Sequence, residues 1–227
     1  MKLDNLDQLN QLVDNFISLA AKKEKVPPKT DDIKTLLSTL SSLENFQTRL
    51  AYANKNVDKI SSGSSRAVFD LPNNQVLKLA SNEKGLYQNA AEAKIKTDSP
   101  YVNLVLDHCP NFTWVTTNKA DKITPKQFEQ LSQIPFDLFA DAIRAKIKKE
   151  NPKKLQPYLD HPMVNDIAKI TKQHQLMTGD LARISSYGAI NDQLVLIDLG
   201  LTREIYKQFY ATPNSQKLMS KHPSAAE

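Results

Sequence analysis

Arg66-Ala67-Val68-Phe69-Asp70-Leu71-Pro72-Asn73-Asn74-Gln75-Val76-Leu77-Lys78-Leu79-Ala80 reads as two strands joined by a tight turn. Pro72, Asn73 and Asn74 are residue types that turns favour, because proline presets φ and asparagine tolerates unusual backbone. Just upstream, Val57-Asp58-Lys59-Ile60 reads as another short strand, leading into the small-residue loop Ser61-Ser62-Gly63-Ser64-Ser65. Lys78 lies within the third strand. Helical spacing follows through Leu86, Gln88, Ala90, Ala91, Glu92, Ala93 and Ile95. Residues 101–106 and 112–117 then read as two further strands. Residues 53–119 are therefore expected to form an antiparallel sheet with one helix, and the class is α+β.

Helices are expected on both sides of this sheet. Residues 4–23 place Leu6, Leu9, Leu12, Val13, Phe16 and Ile17 on one helical face, and Pro27-Pro28 ends that run. Thr30, followed by Asp31 and Asp32, has the character of an N-cap for a second helix carrying Ile33, Leu36, Leu37, Leu40, Leu43, Phe46 and Leu50. Residues 1–52 thus make an N-terminal helical extension. Downstream, Thr124-Pro125 opens a largely helical half over 120–212. Within it we expect one helix to about Lys149, another over 161–175, a short strand at 194–197 and a last helix at 202–210. Residues 213–227 read as a polar tail.

Composition narrows the function classes. The chain has 227 residues, of which 40% are apolar and 24% charged, with a formal net charge of +5. This is globular usage, and no apolar run reaches the length of a membrane span. The single cysteine, Cys109, excludes an internal disulfide framework, and four scattered histidines form no zinc pattern. Met1-Lys2-Leu3-Asp4-Asn5 is unlike a signal peptide, so a cytoplasmic location without a membrane partner is expected. Arg144, Lys146, Lys148, Lys149, Lys153 and Lys154 form a basic run. It reads as the solvated end of a helix; without interleaved aromatic residues it argues against nucleic-acid binding.

The chain is sparing with glycine, having five, and four of them flank polar residues of possible chemical use: Gly63, Gly179, Gly188 and Gly200. Glycine serves where φ must be positive or backbone must approach a ligand. The loop Ser62-Gly63-Ser64-Ser65 offers N–H groups and hydroxyls that can cover phosphates. Lys78 can bridge phosphates, and the interval to Glu92 leaves room for one turn and about two turns of helix, enough for an ion pair. Asp180, in Thr178-Gly179-Asp180-Leu181, can orient or deprotonate a hydroxyl. Asp198, closing Leu196-Ile197-Asp198-Leu199-Gly200, can hold Mg2+. Ordinary alternatives are a hairpin turn for the serine loop, a solvent-facing strand lysine, a helix-surface glutamate, a turn aspartate and a strand-end cap.

Taken in order, these parts resemble the protein-kinase-like superfamily over roughly residues 57–202. The Gly179-Asp180 pair is similar to the aminoglycoside-phosphotransferase variant of the catalytic loop. The segments Ser62-Gly63-Ser64-Ser65-Arg66 and Asp198-Leu199-Gly200-Leu201-Thr202 resemble small kinase-like proteins of tailed bacteriophages. The resemblance implies a bilobal fold with a reduced helical lobe, ATP and Mg2+ as cofactors, and a protein or small-molecule hydroxyl as acceptor. It implies a catalytic set of Asp180, Lys78 and Glu92, a metal at Asp198, and adenine against a hinge at Thr117, Asn118 and Lys119. It also implies location in a host cytoplasm if the protein is phage-encoded.

The pattern has departures. Ser185 stands where the family places a second metal ligand, asparagine; the loop has one glycine where protein kinases have three; and the sequence beyond Gly200 is too short for an activation segment with a large helical subdomain. These departures leave a pseudokinase binding protein as the alternative, with nucleotidyl transfer a third reading.

Overall fold

The computed structural model describes residues 30–212. Helices α1 (Thr30–Ser42) and α2 (Phe46–Asn56) precede strands β1 (Lys59–Ser62), β2 (Arg66–Leu71) and β3 (Gln75–Ala80). Helix α3 (Glu83–Ala93) follows, then β4 (Val105–His108), β5 (Trp114–Asn118) and β6 (Asp121–Lys122). The next helices are α4 (Pro125–Ser132), α5 (Phe136–Lys148), the short α6 (Gln156–Leu159) and α7 (Pro162–His174). A hairpin of β7 (Tyr187–Ile190) and β8 (Gln193–Leu196) leads to α8 (Arg203–Phe209). The class is α+β, as expected.

Strand alternation explains how the sheet is used. The five strands run antiparallel in the order β1-β2-β3-β5-β4. Phe69, Leu71, Leu77, Leu79 and Trp114 face one way and bury against Leu36, Leu40 and Ala53 of α1 and α2. Trp114 donates its indole N–H to the Ser41 hydroxyl at 2.9 Å, so its one polar atom is satisfied inside this cluster. The intervening residues face the other way. Lys78 is paired in register with Val68 on β2 and Val115 on β5, and it projects on that opposite side.

A second apolar cluster joins α4, α5 and α7 to the β7–β8 hairpin. At its centre Phe128, Phe136 and Phe139 pack edge-on around Tyr187, with ring centroids 5.0–6.0 Å apart. Such edge-to-face arrangements add to the area these rings bury. The buried Tyr187 hydroxyl donates to the Leu181 carbonyl at 3.1 Å, so this core fixes the segment beside Asp180.

Several boundaries differ from expectation. The helix expected from Thr124 to about Lys149 is two helices. Thr124 and Gln127 form a capping box at the start of α4, which ends with Gln133 in a left-handed conformation (φ 62°), and Pro135 then precedes α5. The helix expected to carry Ile33 through Leu50 is likewise split, since the Asn45 side chain accepts from the Thr48 N–H and starts α2 afresh. The strand expected at 101–106 is β4 further along, while Val102 makes only a parallel bridge to Leu196. The first strand begins at Lys59 rather than Val57, and the lone strand expected at 194–197 is one arm of a hairpin. The expected helix over 4–23 and the tail after 213 lie outside the described residues.

No glycine has positive φ, and Gly85, Gly188 and Gly200 serve close approach instead. All five have ordinary φ, whereas left-handed positions fall on Asn73, Asn74, Phe112, Gln133, Lys149, Gln175, Asn191 and Asp192. Gly85, in the first turn of α3, shows why. A Cβ there would run into the Ser65 carbonyl oxygen and stand 3.0 Å from Ala80 Cα and Cβ. That tight contact seats α3 against the end of β3 and the serine loop. Gly85→Ala is therefore expected to destabilise the fold by about 1–3 kcal/mol through overpacking, measured by urea unfolding.

Candidate functional site

β2, β3, α3 and the distant segment after β8 meet on the Lys78 side of the sheet. Lys78 is 7% exposed and Glu92, on α3, is 3% exposed. The Lys78 ammonium donates to Glu92 Oε2 at 2.8 Å and to the Ile197 carbonyl at 2.7 Å. It therefore ties β3 to both α3 and the residue before Asp198. A solvent-facing lysine and a helix-surface glutamate, the ordinary alternatives, do not describe this pair.

Arg66, on β2, completes the cluster. Its Nη1 donates to Glu92 Oε1 at 2.7 Å and to Asn89 Oδ1 at 3.4 Å, and its Nη2 donates to Asp198 Oδ1 at 2.8 Å. The Leu199 N–H also donates to Glu92 Oε1, at 3.3 Å. Burial by itself would raise the Glu92 carboxyl, but the charges of Arg66 and Lys78 outweigh it and hold its pKa at about 2. Burial likewise disfavours the Arg66 charge, yet Glu92 and Asp198 overcome this and keep the guanidinium above its ordinary value. Gly200 has a spatial role here: a Cβ would lie 3.1 Å and 3.2 Å from the two Arg66 terminal nitrogens and 2.9 Å from Gln88 Cβ.

Asp180 reaches the same region through backbone pairing. The Met177 N–H donates to the Leu201 carbonyl at 2.9 Å, Arg203 to Gln175 at 2.8 Å and Ile197 to Ser186 at 2.8 Å. These bonds clamp the segment carrying Asp180 against the one carrying Asp198. Burial pushes the Asp180 carboxyl above its ordinary value, the Asp198 charge adds to the rise, and Arg183, at 3.4 Å, partly offsets it. The two aspartates are thus near enough for the charge of one to act on the other. Gly179, beside Asp180, has open space on the side where a Cβ would lie, with nothing within 4 Å, so no crowding demands glycine there.

The remaining candidate residues divide. Ser62, Gly63 and Ser64 are exposed at the β1–β2 turn, closed by the Gly63 N–H donating to the Arg66 carbonyl at 2.8 Å. Ser65 is turned away and buried, its hydroxyl donating to Gln88 Oε1 at 2.6 Å. It anchors the loop to α3 instead of facing a ligand. Ser185 is exposed in the turn after Asp180, and the hydroxyl tied into that turn is Ser186's, which donates to the Asp180 carbonyl at 2.8 Å. At the expected hinge, Thr117 is buried and its hydroxyl donates to the Asn118 carbonyl. The Lys119 N–H is taken by the Asn74 carbonyl at 2.7 Å and its ammonium by Asp70 at 2.8 Å. The hinge segment thus spends these groups on the sheet itself.

Arg66 is the functional candidate that motif order passed over. Register could have found it: Arg66, Val68 and Asp70 alternate on β2, and Val68 lies opposite Lys78. Arg66 therefore shares the Lys78 face.

Among known proteins, neither a family model nor a curated protein matches this chain. Among the described residues, no helix is long and apolar enough to cross a membrane.

Glu92 sets an acid limit for the cluster. Its folded pKa lies below the ordinary 4.5, so the stability it contributes is present above that value and lost as pH falls towards about 2. Glu92→Gln should cost on the order of 3 kcal/mol at neutral pH, since it leaves two buried cations short of a partner. Urea unfolding of both proteins at stepped pH should show the gap narrowing below about pH 4.5; a constant gap would contradict it.

Proposed function

We propose that this protein is a phosphotransferase that moves a phosphoryl group from ATP·Mg2+ to a hydroxyl of a protein or small molecule, on a reduced bilobal kinase-like frame. The observation that carries this reading is the convergence of Lys78, Glu92, Arg66 and Asp198 from β2, β3, α3 and the segment after β8. A cluster of charges with Lys78 and Glu92 buried at its centre is seldom the most stable way to fill such a space, because desolvation offsets the attraction. Its presence is accounted for by ligand chemistry more readily than by stability.

The donor set fits the group it would receive. Phosphoryl transfer depends on neutralising phosphate charge and aligning donor with acceptor. Lys78, positioned by Glu92, offers a cation to phosphate oxygens, and the exposed Ser62–Ser64 turn offers the hydroxyls of Ser62 and Ser64. Asp198 is 47% exposed, and the pKa of Asp180 is raised chiefly by burial, with the Asp198 charge adding to the rise. Among the described residues no three or more His, Cys, Asp or Glu side chains form a metal-binding group. A single carboxylate such as Asp198 suits a cation that brings its own phosphate oxygens. When bound, Mg2+ supplies charge neutralisation at the phosphates, with Asp198 as its protein ligand. Asp180 orients the acceptor hydroxyl and accepts its proton, and its increased proton affinity suits that task.

A binding module without turnover is the second reading. The observation favouring it is the engagement of Asp198 by Arg66, together with the internally committed groups at Thr117 and Lys119.

Calorimetric titration of ATP with and without Mg2+ tests the nucleotide site. Mg2+-dependent binding is expected, weakened roughly tenfold or more in Lys78→Ala by loss of a charge-assisted contact. No binding at millimolar ATP, with or without the metal, overturns the reading. Intact-mass analysis of an acceptor then separates phosphoryl from nucleotidyl transfer, since the added groups differ greatly in mass.

Asp180 gives a further outcome. Its folded pKa is raised, so its ionised form costs stability above the ordinary 3.8, and the cost vanishes below that value. Asp180→Asn should abolish transfer while leaving the melting temperature at pH 7 equal to or above that of the wild type. A clearly lower melting temperature would show that Asp180 serves the fold instead.

A further inference from the structure

We propose that Arg66 is a phosphate-binding residue of this site, parked on Asp198 until a nucleotide arrives and then exchanging that carboxylate for a phosphate oxygen. The inference builds on the ATP·Mg2+ reading above and assigns a role to a residue that the motif order left without one.

The two edges of the guanidinium differ in how firmly they are held. One edge faces Glu92, which is almost completely buried, and a second acceptor, Asn89 Oδ1, lies 3.4 Å away. Breaking that contact would leave Oε1 of a buried carboxylate with only the Leu199 N–H and Lys78 as its sole cation, which is costly. The other edge faces Asp198, whose side chain is 47% exposed against 10% for Arg66. Ion pairs with a solvated partner contribute little net free energy. The weak edge is therefore the one that exchanges, while the strong edge keeps the plane in place. A lysine could not do this, because only the planar fork of arginine offers two fixed edges.

Gly200 and α3 hold the fork ready. The guanidinium lies over Gly200, where a Cβ would crowd both terminal nitrogens, and Asn89 is itself anchored by donating to the Phe112 carbonyl at 2.9 Å. Arg66 thus needs only a change of partner, with little movement of its own. The exchange balances charge: Asp198 loses a cationic partner as it becomes free to hold a metal, and Arg66 loses an anionic partner as it gains phosphate. Metal and phosphate are then linked through one side-chain pair, so either alone meets a site whose groups satisfy each other. An arginine–phosphate contact is charge-assisted and stronger than an exposed pair.

The test is a double-mutant cycle on metal-free binding, read by calorimetry with inorganic tripolyphosphate and with ATP, and with adenosine as the control. Asp198→Asn releases the exchanging edge of Arg66. We expect metal-free tripolyphosphate and ATP to bind it roughly tenfold more tightly than wild type, the scale of one charge-assisted hydrogen bond. That gain should vanish in Arg66→Gln/Asp198→Asn, and adenosine should show none of it. The cycle separates Arg66 from the general loss of a negative charge at Asp198.

A gain that persists without Arg66 overturns the inference while leaving the nucleotide site intact. If wild type and Asp198→Asn both fail to bind ATP with and without Mg2+, the phosphotransferase reading falls, and this inference falls with it. Should Arg66→Gln not fold by circular dichroism, Arg66→Lys replaces it in the cycle. It keeps a cation for Glu92 but lacks the second edge, so the same loss of gain is expected.

Discussion

The Glu92 carboxylate is the point on which the rest of the site depends. Its two oxygens divide two cations between them, Lys78 on Oε2 and Arg66 on Oε1, and Oε1 also accepts the Leu199 N–H. One side chain thereby fixes the position of β2, β3, α3 and the segment around Asp198. Removing water from that carboxylate is expensive, and only the paired positive charges make its ionised state favourable. The helix carrying Glu92 must therefore sit where the strand lysine can reach it. The contact at Gly85 and the Ser65–Gln88 bond seat that helix at its other end.

Stability comes from elsewhere. The sheet buries its opposite face under α1 and α2, and the aromatic cluster around Tyr187 braces the Asp180 segment. None of the side chains of the ionic cluster belongs to either apolar cluster, although the Leu199 N–H links the second one to Glu92. Such separation lets the polar groups be arranged for ligands, since the folding free energy resides mainly in buried apolar surface. The end of the described chain adds a third brace. Tyr210 accepts from Gln88 Nε2 at 3.3 Å, and Phe209 stacks at a tilt against Tyr87, so α8 packs on the helix that carries Glu92. Gln88 thus connects the serine loop on one side with the last helix on the other.

What can be read from the residues follows from the range of the forces involved. Strands β2 and β3 and the turn between them are legible to the residue, because alternation and turn chemistry are local. The Lys78–Glu92 pair is legible too, through a strand-to-helix interval that leaves few other arrangements. The break at Gln133 is not, because a left-handed glutamine has no compositional mark and α4 would otherwise read straight through to Pro135. The role of the glycines is hidden for a related reason. Whether a glycine relieves φ or crowding depends on what lies opposite it, as Ser65 lies opposite Gly85, and that is a tertiary fact. Ser65 and Ser62 look alike as loop serines, and only the position of Gln88 decides which hydroxyl turns inward.

Arg66 and Asp198 are far apart in the chain, yet the ionic cluster cannot be understood without treating them as one unit. A carboxylate already held by a cation is a poorer metal site, and a guanidinium already held by a carboxylate is a poorer anion site. Placing the two in contact makes each a competitor for the other's ligand. The arrangement loses little, because the pair is partly exposed and the underlying Glu92 contact remains. On the proposed reading, the contact that favours a binding module in the absence of ligand would couple phosphate to metal.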